Sequence, residues 1–151
     1  MNKTNIRGKK DCPFCRMSKD KSGRVVVMED KDILVVMDLY PATPGHLLIL
    51  PKKHIETIYE MPADLAARIM TTAVLMAKAI KEKLSPDGLN LIQSNEAAAG
   101  QTIPHFHLHI VPRYKHDSVF LQFGHGKVPE DVDELERIAS LLKAILTDQK
   151  N

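Results

Sequence analysis

Three histidines, His105, His107 and His109, alternate with the large apolar residues Phe106, Leu108 and Ile110. On an extended strand successive side chains point to opposite faces, so the imidazoles share one face and the apolar side chains share the other. A polar sheet face that happens to contain histidine is the plain reading. Such faces ordinarily carry mixed polar residues, and propensity does not place three imidazoles at period two. Two chemistries fit better. Histidines at i and i+2 can bring ring nitrogens onto one metal ion. Alternatively, one imidazole is a nucleophile that its neighbours orient and assist. The spacing alone leaves both open.

The surroundings favour phosphoryl chemistry. Ala99-Gly100-Gln101-Thr102 lies just before the histidines. Gly100 lets backbone N–H groups approach an anion, and Gln101 and Thr102 supply neutral donors. Lys52, Lys53 and Arg113 add positive potential in the same reading. A second constellation is Cys12-Pro13-Phe14-Cys15, which has the spacing of half a zinc site and needs two more ligands. A thioredoxin-like redox pair would need a βαβ context that is absent. Two incidental reduced cysteines are the third reading.

These residues need a scaffold. Residues 24–28 and 33–37 are rich in valine and are separated by a polar stretch, the pattern of a β-hairpin. Residues 40–45 hold two prolines and a glycine and form a loop. A third strand covers 46–50 and ends at Pro51. A helix opens at Met61-Pro62-Ala63-Asp64, with Pro62 in its first turn. Its inward face carries Leu65, Ile69, Met76, Ile80 and Leu84, and Ser85-Pro86-Asp87-Gly88 stops it. A fourth strand covers 89–94, residues 96–100 form a small-residue loop, and the histidine strand covers 105–111, closed by Pro112. A last amphipathic helix spans about 132–146, with Leu135, Ile138, Leu142 and Ile145 inward. Hairpins with two helices predict an antiparallel α+β domain with a five-stranded sheet.

The chain of 151 residues fits one domain, 12–151, behind a flexible lead-in at 1–11. A formal net charge of +2 is too balanced for a dedicated nucleic-acid or membrane-surface protein. No apolar run is long enough to span a bilayer, and no secretory signal is visible. Two closely spaced cysteines cannot staple a fold, so a cytoplasmic protein is the simplest expectation.

The segment His105-Phe106-His107-Leu108-His109-Ile110-Val111 resembles the signature of the histidine triad (HIT) superfamily, H-φ-H-φ-H-φ-φ with φ apolar. The resemblance extends to Asp38 followed by Pro41, to Gly45-His46-Leu47-Leu48-Ile49, to Pro51-Lys52-Lys53-His54, and to 95–104. It covers roughly 12–115. It implies an antiparallel sheet with helices, in a homodimer whose sheets join. It implies hydrolysis or transfer at the α-phosphorus of a purine nucleotide, through a nucleotidyl-histidine on His107. The substrates it implies are nucleoside phosphoramidates or dinucleoside polyphosphates. A non-catalytic nucleotide-binding protein of the same fold is the alternative, and the intact His107 and His109 weigh against it.

By the same resemblance His109 assists the leaving group and His105 completes the triad. His46 belongs to the supporting shell. Asp38 receives the ribose hydroxyls, and Asn95, Gly100, Gln101 and Thr102 surround the phosphate or leaving group. Some relatives carry a cysteine pair completed by two histidines, which maps a structural zinc site onto Cys12, Cys15, His54 and His105. One departure stands out: Glu96-Ala97-Ala98-Ala99 occupies a loop where many members have more glycine.

Overall fold

A computed structural model describes residues 12–20 and 24–121. The expected lead-in at 1–11 and the helix at about 132–146 lie outside the described residues. The elements below belong to one compact unit that ends at Val119.

Five strands form one antiparallel sheet: β1 (Val26–Glu29), β2 (Ile33–Met37), β3 (Leu47–Pro51), β4 (Gly88–Ile92) and β5 (Leu108–Arg113). Their spatial order is β1-β2-β3-β5-β4, with every neighbouring pair antiparallel. The fold class expected from the sequence is therefore the one observed. Two α-helices are described, α1 (Pro13–Lys19) and α2 (Ala63–Leu84). The first was not anticipated: the Cys12–Cys15 segment is a helical turn, with Cys12 as its N-cap accepting from the Cys15 N–H.

The central strands read Ile-Leu-Val-Val and Leu-Leu-Ile-Leu because both faces of the sheet are covered. Ile33, Val35, Leu47 and Ile49 pack with Leu65, Ile69, Ala73, Met76 and Ile80 of α2. Leu34, Val36, Leu48 and Leu50 pack on the other face with Cys12, Phe14 and Cys15 of the α1 segment. Phe106, Leu108 and Ile110 join the α2 side. The alternation along 105–110 therefore sends the three histidines to the α1 side.

Several boundaries differ from expectation. β1 is Val26–Glu29 rather than 24–28, β3 takes in Pro51, β4 ends at Ile92 rather than 94, and Pro62 caps α2 instead of lying in its first turn. β5 begins at Leu108 rather than at 105, because the Phe106 N–H is donated to the Ile55 carbonyl of a loop and not to a strand. Pro112 continues the strand instead of closing it. β3 pairs with β5 only as far as Ile110, so the missing N–H at Pro112 leaves no strand partner unsatisfied. Leu84, expected inward, is 47% exposed at the end of α2. Its tip nonetheless lies under Gly45, where an added Cβ would come within 2.5 Å of it. The Leu84 tip could swing aside, but Gly45 also has φ +89, so the backbone of the turn that delivers the chain into β3 calls for glycine.

Candidate active site

Each triad imidazole is held by a backbone or side-chain partner that decides which nitrogen carries the proton. His107 Nδ1 lies 2.7 Å from the His105 carbonyl oxygen. A carbonyl only accepts, so Nδ1 is the protonated nitrogen and Nε2 keeps its lone pair. His105 Nε2 lies 2.8 Å from the Pro51 carbonyl, so Nε2 is protonated and Nδ1 is the free donor atom. His46 Nδ1 accepts the Ala42 N–H at 3.0 Å, which leaves the proton of the neutral ring on Nε2. That Nε2–H is donated to His109 Nδ1 at 2.9 Å. His109 therefore carries its own proton on Nε2. The chain Ala42, His46, His109 thus orients an N–H donor, while the His105 carbonyl orients a ring whose Nε2 lone pair is free.

Two of these rings, His107 and His109, sit at the wall of a cavity of about 300 Å³, lined also by Asp38, Thr102, Phe14, Met17, Leu39, Tyr40 and Ile103. Asp38 Oδ2 is 3.5 Å from His46 Nε2, and Asp38 Oδ1 accepts the Tyr40 N–H at 2.8 Å. One carboxylate thereby fixes the turn after β2 and stands beside the histidine chain.

Burial, the largest influence, lowers the pKa of His107, against opposing pulls from its bond to the His105 carbonyl and from the Asp38 charge. Burial pushes His109 down to about 4, helped by the nearby His107 and His46 and opposed by Asp38. His46 is lowered for the same first reason, with Asp38 opposing. Both working rings are thus neutral near pH 7. An imidazole with a depressed pKa loses its proton at lower pH, so His107 Nε2 stays unprotonated below the ordinary value of 6.5. The acid limb of kcat/KM is accordingly expected below pH 6.5. A pH–rate profile measured on a slow substrate, so that chemistry limits, checks this. A limb at 6.5 or above would contradict it.

The other expected site residues divide. Asn95, Gly100 and Gln101 do not line this cavity. Asn95 Oδ1 accepts the Ile58 N–H, while Gln101 accepts from Glu96 N–H and donates to the Glu56 carbonyl. They clamp the loop before the triad to the loop after β3. Gly100 has φ +85 and closes the short 3₁₀ turn at Ala97–Ala99. Glu96 takes φ +67 with ψ 166, a conformation close to glycine's own, in the loop where the resemblance leads one to expect more glycine. The three cations stand away from the cavity. Lys52 pairs with Glu29, Arg113 binds Asp117 and Asn90, and Lys53 lines a separate hollow with Asp32 and Asp64. The apolar and aromatic lining was not anticipated: Leu39, Tyr40 and Ile103, which follow the expected nucleotide contacts Asp38 and Thr102, and Phe14 and Met17, which do not. Phe14 and Met17 are three apart on α1, but only the flanking cysteines signalled that segment.

On the same side of the sheet, ligand atoms of Cys12, Cys15, His54 and His105 all lie within 4.8 Å of one another. Cys12 Sγ is 3.4 Å and Cys15 Sγ is 3.6 Å from His105 Nδ1, and Cys15 Sγ is 3.2 Å from His54 Nδ1. Tetrahedral zinc with Zn–S near 2.3 Å and Zn–N near 2.0–2.1 Å sets neighbouring S and N about 3.5 Å apart. The donor set and its spacing fit zinc, and the His105 Nε2–H bond to Pro51 leaves the correct nitrogen free. Four protein ligands close such a site, leaving no position for a reactive water. Asp38, His46 and His109 also converge. There His46 has no lone pair to offer, because Ala42 N–H occupies Nδ1 and Nε2 carries the proton.

A family model described as HIT domain matches residues 19–116, and the chain belongs to this family of histidine triad proteins. It is 37% identical over 110 residues to an Arabidopsis thaliana protein named adenylylsulfatase HINT3, covering 73% of this chain and 56% of that one. The solved structure of SMU.412c from Streptococcus mutans superposes with TM-score 0.84 at 32% identity, covering 95% of this chain and 89% of that one. A zinc-bound histidine triad family protein from Mycobacterium smegmatis superposes with TM-score 0.69 at 29% identity, over 94% and 99% of the two chains. Among the described residues no helix is long and apolar enough to cross a membrane.

Proposed function

We propose that this protein cleaves a bond to the α-phosphorus of an adenosine nucleotide through a covalent intermediate on His107. The observation that carries the proposal is the pair of opposite tautomers at one cavity wall. His107 keeps a lone pair on Nε2, and His109 keeps a proton on Nε2. The His107 lone pair attacks phosphorus, and the bond from phosphorus to the leaving atom breaks. The His109 Nε2–H donates a hydrogen bond to that atom as charge builds on it. An amine leaving group takes up a proton from solvent as it departs, whereas a phosphate leaves as its anion. Water then attacks the phosphorus of the adduct, the P–N bond breaks with its electron pair returning to His107, and the proton lost by the water passes to solvent as AMP leaves. Two moderate barriers replace one large one. Leaving groups of this class are amines, acyl groups or nucleotide phosphates, and an adenylylsulfatase among the relatives supports an adenylyl donor.

The chemistry of phosphorus tests the two-step route. Each in-line displacement inverts the centre. Two displacements give net retention at an isotopically chiral α-phosphorus, whereas net inversion would mean direct attack by water and would overturn the proposal.

Asp38 receives the ribose hydroxyls in this reading, because a carboxylate accepts from two vicinal donors at once. Asp38→Ala is expected to reduce kcat/KM by roughly 10²-fold, the loss typical of a charge-assisted contact pair. It should also bring the ribonucleotide to 2′-deoxyribonucleotide ratio close to unity. Undiminished discrimination in the variant would remove the ribose role.

Zinc in the Cys12/Cys15/His54/His105 set would pin α1 to the triad strand as structural support. We further propose a homodimer. β4 is a sheet edge, Leu91 on it is exposed, and Met70, Val74 and Leu75 of α2 stand about half exposed. Sedimentation equilibrium should give twice the chain mass. A monomer at micromolar concentration would refute the assembly.

A further inference from the structure

We propose that Phe14 couples the Cys12/Cys15/His54/His105 metal site to the nucleotide cavity, so that metal occupancy tightens nucleotide binding by positioning the His107 ring. The inference rests on the nucleotide reading of the cavity given above. Phe14 lies between the two cysteines in sequence and is 6% exposed. Its ring meets His105 edge-on, with centroids 5.7 Å apart, and meets His107 at 5.2 Å. It also lines the cavity. One side chain therefore touches a metal ligand, the nucleophile and the bound-substrate space.

The mechanical argument follows from what holds each part. α1 has seven residues, too few to persist on its own helical propensity. Its place depends on packing against Leu34, Val36, Leu48 and Leu50, and on the two sulfurs at its start. With a metal bound, His105 is fixed at both nitrogens, by the ion at Nδ1 and by the Pro51 carbonyl at Nε2. Without it, weak sulfur–nitrogen contacts of 3.4 and 3.6 Å are what tie that ring to the sulfurs. The His105 ring and α1 then loosen together, and Phe14 with them. Its edge no longer confines the His107 ring, which keeps the bond to the His105 carbonyl and the edge contact with His109 but loses its wall on the α1 side. A nucleotide that needs His107 and Phe14 in place must then order them at binding, and its affinity falls. A Phe14 that merely filled space would leave the two sites independent.

The test is a linkage cycle. AMP dissociation constants are measured by calorimetry in zinc-loaded and chelator-stripped protein, and zinc affinity is measured with and without AMP. Coupling of ordinary size predicts roughly tenfold tighter AMP in the loaded protein, and the same factor on zinc affinity with AMP present. Phe14→Leu should still bind zinc by metal analysis, yet its coupling should shrink to within about twofold of unity. Equal AMP affinity in both metal states, or undiminished coupling in Phe14→Leu, overturns the proposal. A readout that needs no metal-free protein guards against unfolding on stripping. Cobalt(II) in the thiolate site absorbs in the visible, and AMP should shift that band in the wild type but not in Phe14→Leu. A band indifferent to AMP in the wild type overturns the coupling. AMP that binds no form of the protein would bring down the nucleotide reading, and the coupling with it.

Discussion

His107→Ala is expected to lose about 10⁴-fold or more in kcat, the scale of loss when a covalent nucleophile is removed, while AMP affinity falls by no more than about tenfold. The split follows from geometry. In the proposed reaction His107 Nε2 supplies the electron pair that forms the intermediate, and among the described residues no other ring at the cavity has a free lone pair: His109 Nδ1 is taken by His46 and its Nε2 is protonated. Binding draws for the larger part on Asp38, Thr102 and the apolar wall of Phe14, Leu39 and Ile103, with the placed His107 ring adding the smaller share. His109→Ala removes one donor and should cost about 10²- to 10³-fold in kcat. Steady-state kinetics on adenosine 5′-phosphoramidate and diadenosine tetraphosphate, with AMP binding measured alongside, check both. A His107→Ala variant within tenfold of wild type would leave the nucleophile unassigned.

Losing the metal should have a different signature. Cys15→Ala, or thorough chelation, is expected to lower Tm by about 10 °C, corresponding to roughly 3–4 kcal/mol for a domain of this size. The cause is local: Cys12 and Cys15 are 0% and 5% exposed, and a metal held by them with His54 and His105 would tie α1 to the loop after β3 and to the segment leading into β5. At saturating substrate, kcat in the still-folded protein should remain within about threefold, because the closed ligand set contributes no reactive water. Metal analysis with calorimetric melting and saturating kinetics reads all three quantities. Abolished turnover in folded, stripped protein would transfer the chemistry to the metal.

Much of the fold was legible because both faces of the sheet are buried. Continuous apolar runs such as Leu47-Leu48-Ile49-Leu50 have no solvent face to interrupt them, and the period-two histidines declare which side of β5 is chemical. Less legible was where β5 starts. Pairing stops at Leu108 because the Phe106 N–H finds a loop carbonyl, a tertiary choice that no local pattern announces. The loop before the triad shows the same limit. Gln101 and Thr102 are both polar neighbours of the glycine, yet one clamps a second loop and the other lines the cavity, because adjacent side chains face opposite ways. Lys52 and Arg113 pair with acids from Glu29 and Asp117, partners that sequence separation or turn geometry hid. Phe14 was overlooked for a simpler reason. A cysteine pair draws attention to its sulfurs, and the residue between them became visible only once α1 was seen against the triad.

The most direct test of the account is to trap the intermediate. Wild-type protein is mixed with adenosine 5′-phosphoramidate, quenched without acid during turnover, digested and examined by mass spectrometry. The account predicts a transient adenylyl adduct on the peptide that contains His107, absent in His107→Ala. Turnover to AMP with no adduct on His107 at any time, or an adduct on another residue, would contradict it.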